Sequence, residues 1–408
     1  MAVTDSEGLP VASIGSLVLR AASAADTRVS AGDALFRVDW VPVEPVVPVV
    51  GSFVEVGSLA EVPGEVPPVV VVRSVAGGGV HERSAWALEW VQGWLAEERF
   101  AASRLVFVTR GAVDGTDLSA AVVWGLVRSA VSEEPGRFGL VDLAGEEELP
   151  ASALGVDEPQ LLVREGRLLA ARLVRVPARP EAVPVVWPSE GTVLVTGGTG
   201  GLGRVIARHL AGEHGVRRLL LVSRRGAEAE GVGALLAELE VLGARAVVEA
   251  CDVADEAAVA GLFARHEIRA VVHAAGVIDD GVVGSLTPDR VSAVLRPKAD
   301  AAWNLHRAAE GVDVFVLFSS MAGTFGSAGQ AAYAAGNACL EALAVHRRAL
   351  GLPGVSLAWG PWSGVAGMTG TLTEAESERI ARHGLPAISP EQGTALFDAA
   401  LSTGHAAV

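Results

Sequence analysis

Eight residues constrain this chain more than any other stretch: Thr196-Gly197-Gly198-Thr199-Gly200-Gly201-Leu202-Gly203. They contain GxGxxG at Gly198, Gly200 and Gly203. A short apolar run, Thr192–Val195, precedes them, and Leu202, Val205, Ile206 and Leu210 follow at helical spacing. A strand leading through a glycine loop into a helix is the opening of a dinucleotide-binding βαβ unit. The glycines permit a tight turn and let backbone approach a pyrophosphate. The helix start offers that anion its amides and the positive end of its dipole. Thr196, Gly198, Thr199, Gly200, Gly201, Leu202 and Gly203 are therefore candidate cofactor contacts.

The alternation continues beyond the loop. Arg218–Val222, Ala246–Glu249, Ala270–His273, Val314–Ser319 and Gly354–Ala358 read as strands, and Gly233–Leu242, Pro288–Glu310 and Gln330–Leu350 as helices. This pattern predicts an α/β fold with a parallel, doubly wound sheet. A smaller unit precedes it. Val69–Val72, Leu105–Thr109 and Phe138–Leu143 read as strands and Arg83–Leu95 as a helix. Gln160–Arg164 and Leu168–Val174 read as a strand pair turning at Glu165-Gly166. After Leu105–Thr109 comes Arg110-Gly111-Ala112-Val113, with no counterpart of the glycine loop. The expectation is two Rossmann-like units, either an old duplication or one functional and one degenerate unit, with a structural one over 34–187 and a catalytic one over 188–408. The proline-rich Pro177–Pro188 joins them, and Val41–Val50 reads as an extended linker.

Bulk properties exclude several classes. Lys and Arg number 32 against 48 Asp and Glu, a formal net charge of −16, which argues against a nucleic-acid partner. No apolar run approaches the roughly 18–20 residues of a membrane helix. Met1–Pro10 lacks the apolar core of a secretory signal. The only cysteines, Cys251 and Cys339, form no CxxC pair, so the expectation is a reducing, cytoplasmic compartment and no metal site.

The cofactor's identity is read after the second strand. An acidic residue there would grip the ribose hydroxyl of NAD; this chain has Ser223-Arg224-Arg225, suited to a 2′-phosphate, so NADPH is expected. Asp252, followed by Val253, could accept from the adenine amino group. His273-Ala274-Ala275-Gly276 ends the fourth strand, where Ala274, Ala275 and Gly276 let backbone pass close to the cofactor; His273 reads as a core histidine. Hydride transfer to a ketone needs an acid beside the carbonyl oxygen. The chain's single tyrosine, Tyr333, is the candidate, set among alanines. Ser320 ends a strand 13 positions earlier, Asn337 shares a helix face with Tyr333 at i+4, and Lys298 lies on the preceding helix.

Most short-chain dehydrogenases carry YxxxK, whereas this chain has Tyr333-Ala334-Ala335-Gly336-Asn337, with the lysine upstream in Leu295-Arg296-Pro297-Lys298. That exchange resembles the ketoreductase domains of modular polyketide synthases. Leu35–Trp40, Trp124–Arg128, Leu317–Gly323 and Leu357–Trp362 agree with it. The resemblance implies NADPH-dependent reduction of a β-ketoacyl thioester tethered to an acyl carrier protein. It makes Tyr333 the proton donor, Ser320 the carbonyl-orienting group, Lys298 the cation that lowers the tyrosine pKa, and Asn337 the holder of a relay water or of the lysine. Gly364–Leu372 and the following helix, Glu374–His383, resemble a lid. Asp280, Phe325, Gln330 and Met368 fall among residues that shape the substrate site.

The family's B-type class, which gives a D-configured hydroxyl, carries Leu-Asp-Asp near the site. This chain has Ile278-Asp279-Asp280, and Phe325 stands where the opposite class has tryptophan. Ala328 and Ala335 replace the prolines of the epimerising subclass, so a non-epimerising B-type enzyme is expected. Asp5–Ala22 resembles the end of a dehydratase domain, which makes 1–33 the remnant of a preceding domain and an upstream dehydratase a partner. Two alternatives are a reductase of a free small ketone and a catalytically silent structural domain.

Overall fold

Short Val- and Leu-rich runs cannot hide both faces alone, and here they assemble into two covered sheets. The computed structural model describes residues 2–4, 10–13, 34–44, 53–74, 77–177, 185–365 and 387–408. Strands β1 (Ala2–Thr4) and β2 (Pro10–Ser13) form an antiparallel pair.

The first unit comprises β3 (Phe36–Pro42), β4 (Phe53–Glu55), β5 (Val69–Arg73), α1 (Val80–Ala96), β6 (Arg104–Arg110), α2 (Leu118–Glu133), β7 (Phe138–Leu143), β8 (Gln160–Arg164) and β9 (Arg167–Arg175). Its sheet runs β3-β9-β8-β7-β6-β5-β4. β4 to β8 are parallel, while β9 lies antiparallel between β8 and β3. The β8–β9 turn falls at Glu165-Gly166 as expected, both with positive φ (52° and 68°), a geometry for tight hairpins. Val41 and Pro42, expected in a linker, instead end β3.

The second unit comprises β10 (Thr192–Thr196), α3 (Gly201–Gly212), β11 (Arg218–Ser223), α4 (Val232–Val241), β12 (Arg245–Ala250), α5 (Glu256–Arg265), β13 (Ile268–His273), α6 (Pro288–Leu295), α7 (Ala301–Ala308), β14 (Val314–Ser320), α8 (Met321–Phe325), α9 (Ala331–Ala349), β15 (Val355–Trp359) and α10 (Pro390–Leu401). Its sheet, β12-β11-β10-β13-β14-β15, is parallel throughout. That is the doubly wound order, whose crevice opens where the chain reverses direction between β10 and β13.

One expected helix is corrected. Pro288–Glu310 is not continuous: α6 and α7 are separated by a π turn, Arg296–Asp300. Pro297 has no N–H to donate and its ring crowds the carbonyl four residues back. The chain widens there, and the Ala301 N–H donates to Arg296, five residues earlier.

One of the buried clusters is shared by the two units. Leu88, Val91 and Trp94 of α1 and Leu126 of α2 are buried in one cluster with Val291, Val294 and Leu295 of α6 and Ala334 and Ala335 of α9. Helices α2 and α9 approach so closely that a Cβ on Gly125 would lie 2.4 Å from the Ala334 carbonyl oxygen. Glycine at that position is what allows the contact. Polar ties border it: His81 of α1 bonds Ser292 (2.5 Å) and Asp300 (2.9 Å). No helix among the described residues is long and apolar enough to cross a membrane.

Candidate active site

The glycine loop follows β10 at the crevice. Gly197 has φ 65°, and a Cβ there would lie 3.0 Å from the Ala274 carbonyl, so the loop and Ala274–Gly276 run against each other. A Cβ on Gly203 would come within 2.3 Å of the Gly197 oxygen, so only glycine lets α3 start this near the loop. The N-cap of α3 is Gly200, and no side chain caps its first-turn amides. Those amides suit an anion. Thr199 Oγ1 donates to Ser223 Oγ at 2.8 Å, tying the ends of β10 and β11. The next two residues, Arg224 and Arg225, are exposed. Among the described residues neither has an ion-pair partner, unlike Arg208, Arg265 and Arg269. Asp252 is partly committed: it accepts from Arg296 at 3.1 Å and from the Ala254 amide at 3.1 Å. Val253 is buried, and its carbonyl accepts from Asn304. His273 is a core residue, its Nδ1 2.7 Å from Thr196 Oγ1. Burial and then the nearby Lys298 charge lower its pKa to about 3, so it is neutral at ordinary pH.

The π turn delivers Lys298 into the protein. The lysine threads between two glycines: a Cβ on Gly276 would sit 2.7 Å from its Cε, and one on Gly336 3.2 Å from its Cβ. Its ammonium donates to the Phe318 carbonyl at 2.7 Å and to Asn337 Oδ1 at 2.9 Å. It also lies 5.4 Å from the centre of the Tyr333 ring. Asn337 is oriented by its own helix, because its Nδ2 donates to the Tyr333 carbonyl at 2.8 Å and leaves Oδ1 facing the lysine. Asn337 therefore joins the helix that carries Tyr333 to the turn that carries Lys298. Burial lowers the Lys298 pKa to about 7. It pushes the Tyr333 phenol above its usual value, as does the Asp280 charge, while hydrogen bonding to Asn337 and Ser320 pulls it down. Tyr333 thus stays protonated at neutral pH, as a proton donor must. Ser320 ends β14, and its hydroxyl accepts the Ala322 amide at 3.3 Å as the N-cap of α8.

A second cluster lies within electrostatic reach of Tyr333 through Asp280. Gln330, at the start of α9, donates to both oxygens of Asp280 (3.3 and 3.2 Å). Gly281 and Gln330 form a parallel β-bridge. Arg290 bonds Asp279 and the Asp280 carbonyl. Phe325 is 44% exposed at the end of α8. Met368 and nearly all of the expected lid, Gly364–Leu372 and Glu374–His383, lie outside the described residues. Their flanks are close together: the Ser363 amide donates to Ile388 at 2.9 Å and the Ile388 amide to Pro361 at 2.7 Å.

Three groups escaped the sequence reading. Glu341 is half-buried on α9, one turn after Asn337, accepting from Ser319 (2.9 Å) and Thr324 (3.0 Å); desolvation raises its pKa, opposed by the Arg128 charge. Arg128, from α2, donates to the Gly323 carbonyl at 2.6 Å. Glu341 has no local motif, and Arg128 ends the family-like stretch Trp124–Arg128 without a role having been assigned to it. His209 and His214 both bond Asp398 (3.0 and 2.7 Å), tying α3 to α10. Among the described residues this is a grouping that could hold a metal ion, and an expectation built on cysteine spacing had no view of it.

Two family models match the chain: "KR domain" over residues 191–364 and "Polyketide synthase extender module SpnB, Rossmann fold domain" over 38–173. Polyketide synthase GfsA of Streptomyces halstedii is 48% identical over 451 residues, covering 100% of this chain and 6% of that protein. The chain thus spans a small fraction of such relatives. A solved A1-type ketoreductase is 34% identical, with 93% of each chain covered and a TM-score of 0.80. PlmKR1, a ketoreductase from the first module of phoslactomycin biosynthesis in Streptomyces sp. HK803, is 34% identical with 91% of each chain covered and a TM-score of 0.76. With its paired sheets, glycine loop and Lys298–Asn337–Tyr333 group, this chain belongs to the ketoreductase domains of modular polyketide synthases.

Proposed function

We propose that the domain uses NADPH to reduce a β-ketoacyl thioester, carried on an acyl carrier protein, to a D-configured β-hydroxyacyl thioester without α-epimerisation. The observation that carries this reading is the Lys298–Asn337–Tyr333 arrangement. It places a protonated phenol beside a buried amine whose pKa lies near neutrality. The side-chain-free amides at the start of α3 fit a pyrophosphate, and Arg224 and Arg225, exposed and without an ion-pair partner among the described residues, fit a 2′-phosphate. When bound, the dihydronicotinamide supplies the hydride. Tyr333 gives its proton to the oxygen that becomes the hydroxyl, and Ser320 donates a hydrogen bond to that oxygen. Lys298 stabilises the tyrosinate, and Asn337 fixes the amine. The D configuration is supported by the Asp280–Gln330 wall and by Phe325 in place of tryptophan. The upstream dehydratase rests on Asp5–Ala22, most of which lies outside the described residues.

The test follows NADPH loss with a β-ketoacyl thioester and resolves the product on a chiral column. Tyr333→Phe should lower turnover by about 10²–10⁴-fold, the usual contribution of a positioned acid. Equal turnover would remove Tyr333 from the mechanism, and an L product would overturn the configuration. For the cofactor, Arg224→Ala should weaken NADPH far more than NADH. Equal losses would mean that the 2′-phosphate is held elsewhere.

A further inference from the structure

The proposed substrate wall consists of two segments, Asp279–Ser285 and Ser327–Gln330, joined by the Gly281–Gln330 bridge. Its side-chain tie is weak by geometry, with Gln330 to Asp280 at 3.2 and 3.3 Å in an exposed setting. The firm contacts come from the other unit. Glu133, the last residue of α2, is half-buried and spreads its carboxylate between both segments. Oε1 accepts the Gly329 amide at 2.8 Å, and Oε2 accepts the Val283 amide at 2.8 Å. One turn earlier, Ser129 Oγ accepts the Ser327 amide at 3.2 Å. Gln92 of α1 donates to the Val283 and Leu286 carbonyls at 2.9 and 2.8 Å. Between the two clamped amides, the Gly281 amide donates to the Gly329 carbonyl at 2.7 Å.

We propose that Glu133, on the unit without a cofactor loop, is a specificity-determining positioning residue: it sets the separation of Asp280 and Gln330, and through them the face of the ketone presented to hydride. The inference rests on the reading of Asp280 and Gln330 as the substrate wall. A carboxylate is required because it offers one acceptor oxygen to each of two amides. An amide side chain has only one acceptor, and its NH2 would face a backbone N–H. Charge-assisted bonds of this kind are about twice as strong as neutral ones, and both amides here are held by the same ion. Glu133 touches no reacting atom, so its loss should move selectivity more than chemistry.

The experiment uses the whole chain carrying Glu133→Gln, with NADPH and a 2-methyl-3-ketoacyl thioester, and resolves all product diastereomers. The expected result is a shift of about tenfold in the ratio of hydroxyl configurations, equivalent to about 1.4 kcal/mol. Turnover should fall by less than that factor, and the pH profile should keep its midpoint, because Lys298 and Tyr333 are untouched. In Gln330→Ala the Glu133→Gln substitution should have little further effect, since the second change acts through the first. An unchanged ratio in an active Glu133→Gln enzyme overturns the proposal, as does full additivity with Gln330→Ala. If Glu133→Gln does not fold, amide exchange in the native protein decides. Slow exchange at Gly329 and Val283 supports the clamp, and exchange at the rate of an open loop refutes it. A wild-type L product would overturn the D assignment alone; Glu133 is still judged by whether the ratio moves. If Gln330→Ala leaves the ratio unchanged, the wall reading fails and the Glu133 role with it.

Discussion

Lys298 is an amine kept where charge is costly. Two carbonyl-type oxygens hold it, no carboxylate among the described residues bonds it, and its pKa falls from 10.5 to about 7. Desolvation disfavours the ammonium, so the proton leaves early as pH rises. Tyr333 shifts the other way and remains a phenol through the same range. In the direction of reduction, kcat/KM should therefore decline as pH rises through about 7, the pKa of Lys298 in the free enzyme. Lys298→Met should lose that inflection together with most of the rate. Stability carries the opposite sign. Between about 7 and 10.5 the unfolded chain binds the proton that the folded chain has released, so this group makes stability rise with pH. The urea midpoint of Lys298→Met should climb less over that window than that of the wild type. A lysine midpoint near 10 would contradict both expectations. The four candidate residues, Tyr333, Ser320, Lys298 and Asn337, could be named from the sequence because their spacing resembles a family pattern. The tuning of Lys298 was not, since it arises from Gly276, Gly336 and Phe318 closing around the side chain.

At the scale of elements, the sequence was informative wherever one segment carried its own signal. The glycine loop, the second unit's strands and the turn at Glu165-Gly166 fall where the residues placed them. Helix α2 went unread because its residues are apolar on nearly every side, so no helical stripe marks it. The break between α6 and α7 was also missed, although Pro297 announced it. Helical spacing on both sides outweighed one residue, and the chain accommodated the proline by widening a turn rather than ending the helix. The α2–α9 contact is the element whose failure should matter most. Gly125→Val would drive side-chain atoms into the Ala334 backbone, where even a Cβ has only 2.4 Å. Overpacking of this sort costs about 1–3 kcal/mol or more. Because α9 carries Tyr333 and Asn337, turnover should fall with stability, unlike in Glu133→Gln. A variant as stable as wild type in a thermal melt would show that the helices can separate without harm.

Across the whole molecule, the two units could be counted in the sequence, but their union could not. Composition and periodicity describe each chain segment against its own sheet, and neither reports that α1 and α2 close over α6 and α9. Leu88, Trp94 and Leu126 are at most 1% exposed within a cluster that includes Val291, Leu295 and Ala335. Separating the units would uncover this surface on both. Residues 34–408 should therefore unfold in one transition, with probes in either sheet reporting the same midpoint. A fragment spanning 188–408 should lack cooperative unfolding and bind hydrophobic dye. A folded, active fragment would refute the shared core.

The carboxylate of Glu133 crosses from one unit to grip two loops of the other, and this bears on how such a reductase can be moved between assembly lines. A graft cut at the proline-rich join would import the glycine loop, Lys298 and Tyr333 but would inherit the host's version of α2. Its hydride chemistry could survive while its stereochemical fidelity depended on whatever residue the host supplies at that one helix end. On the proposed role of Glu133, the transferable cassette for product handedness is the pair of units, with position 133 checked before position 330.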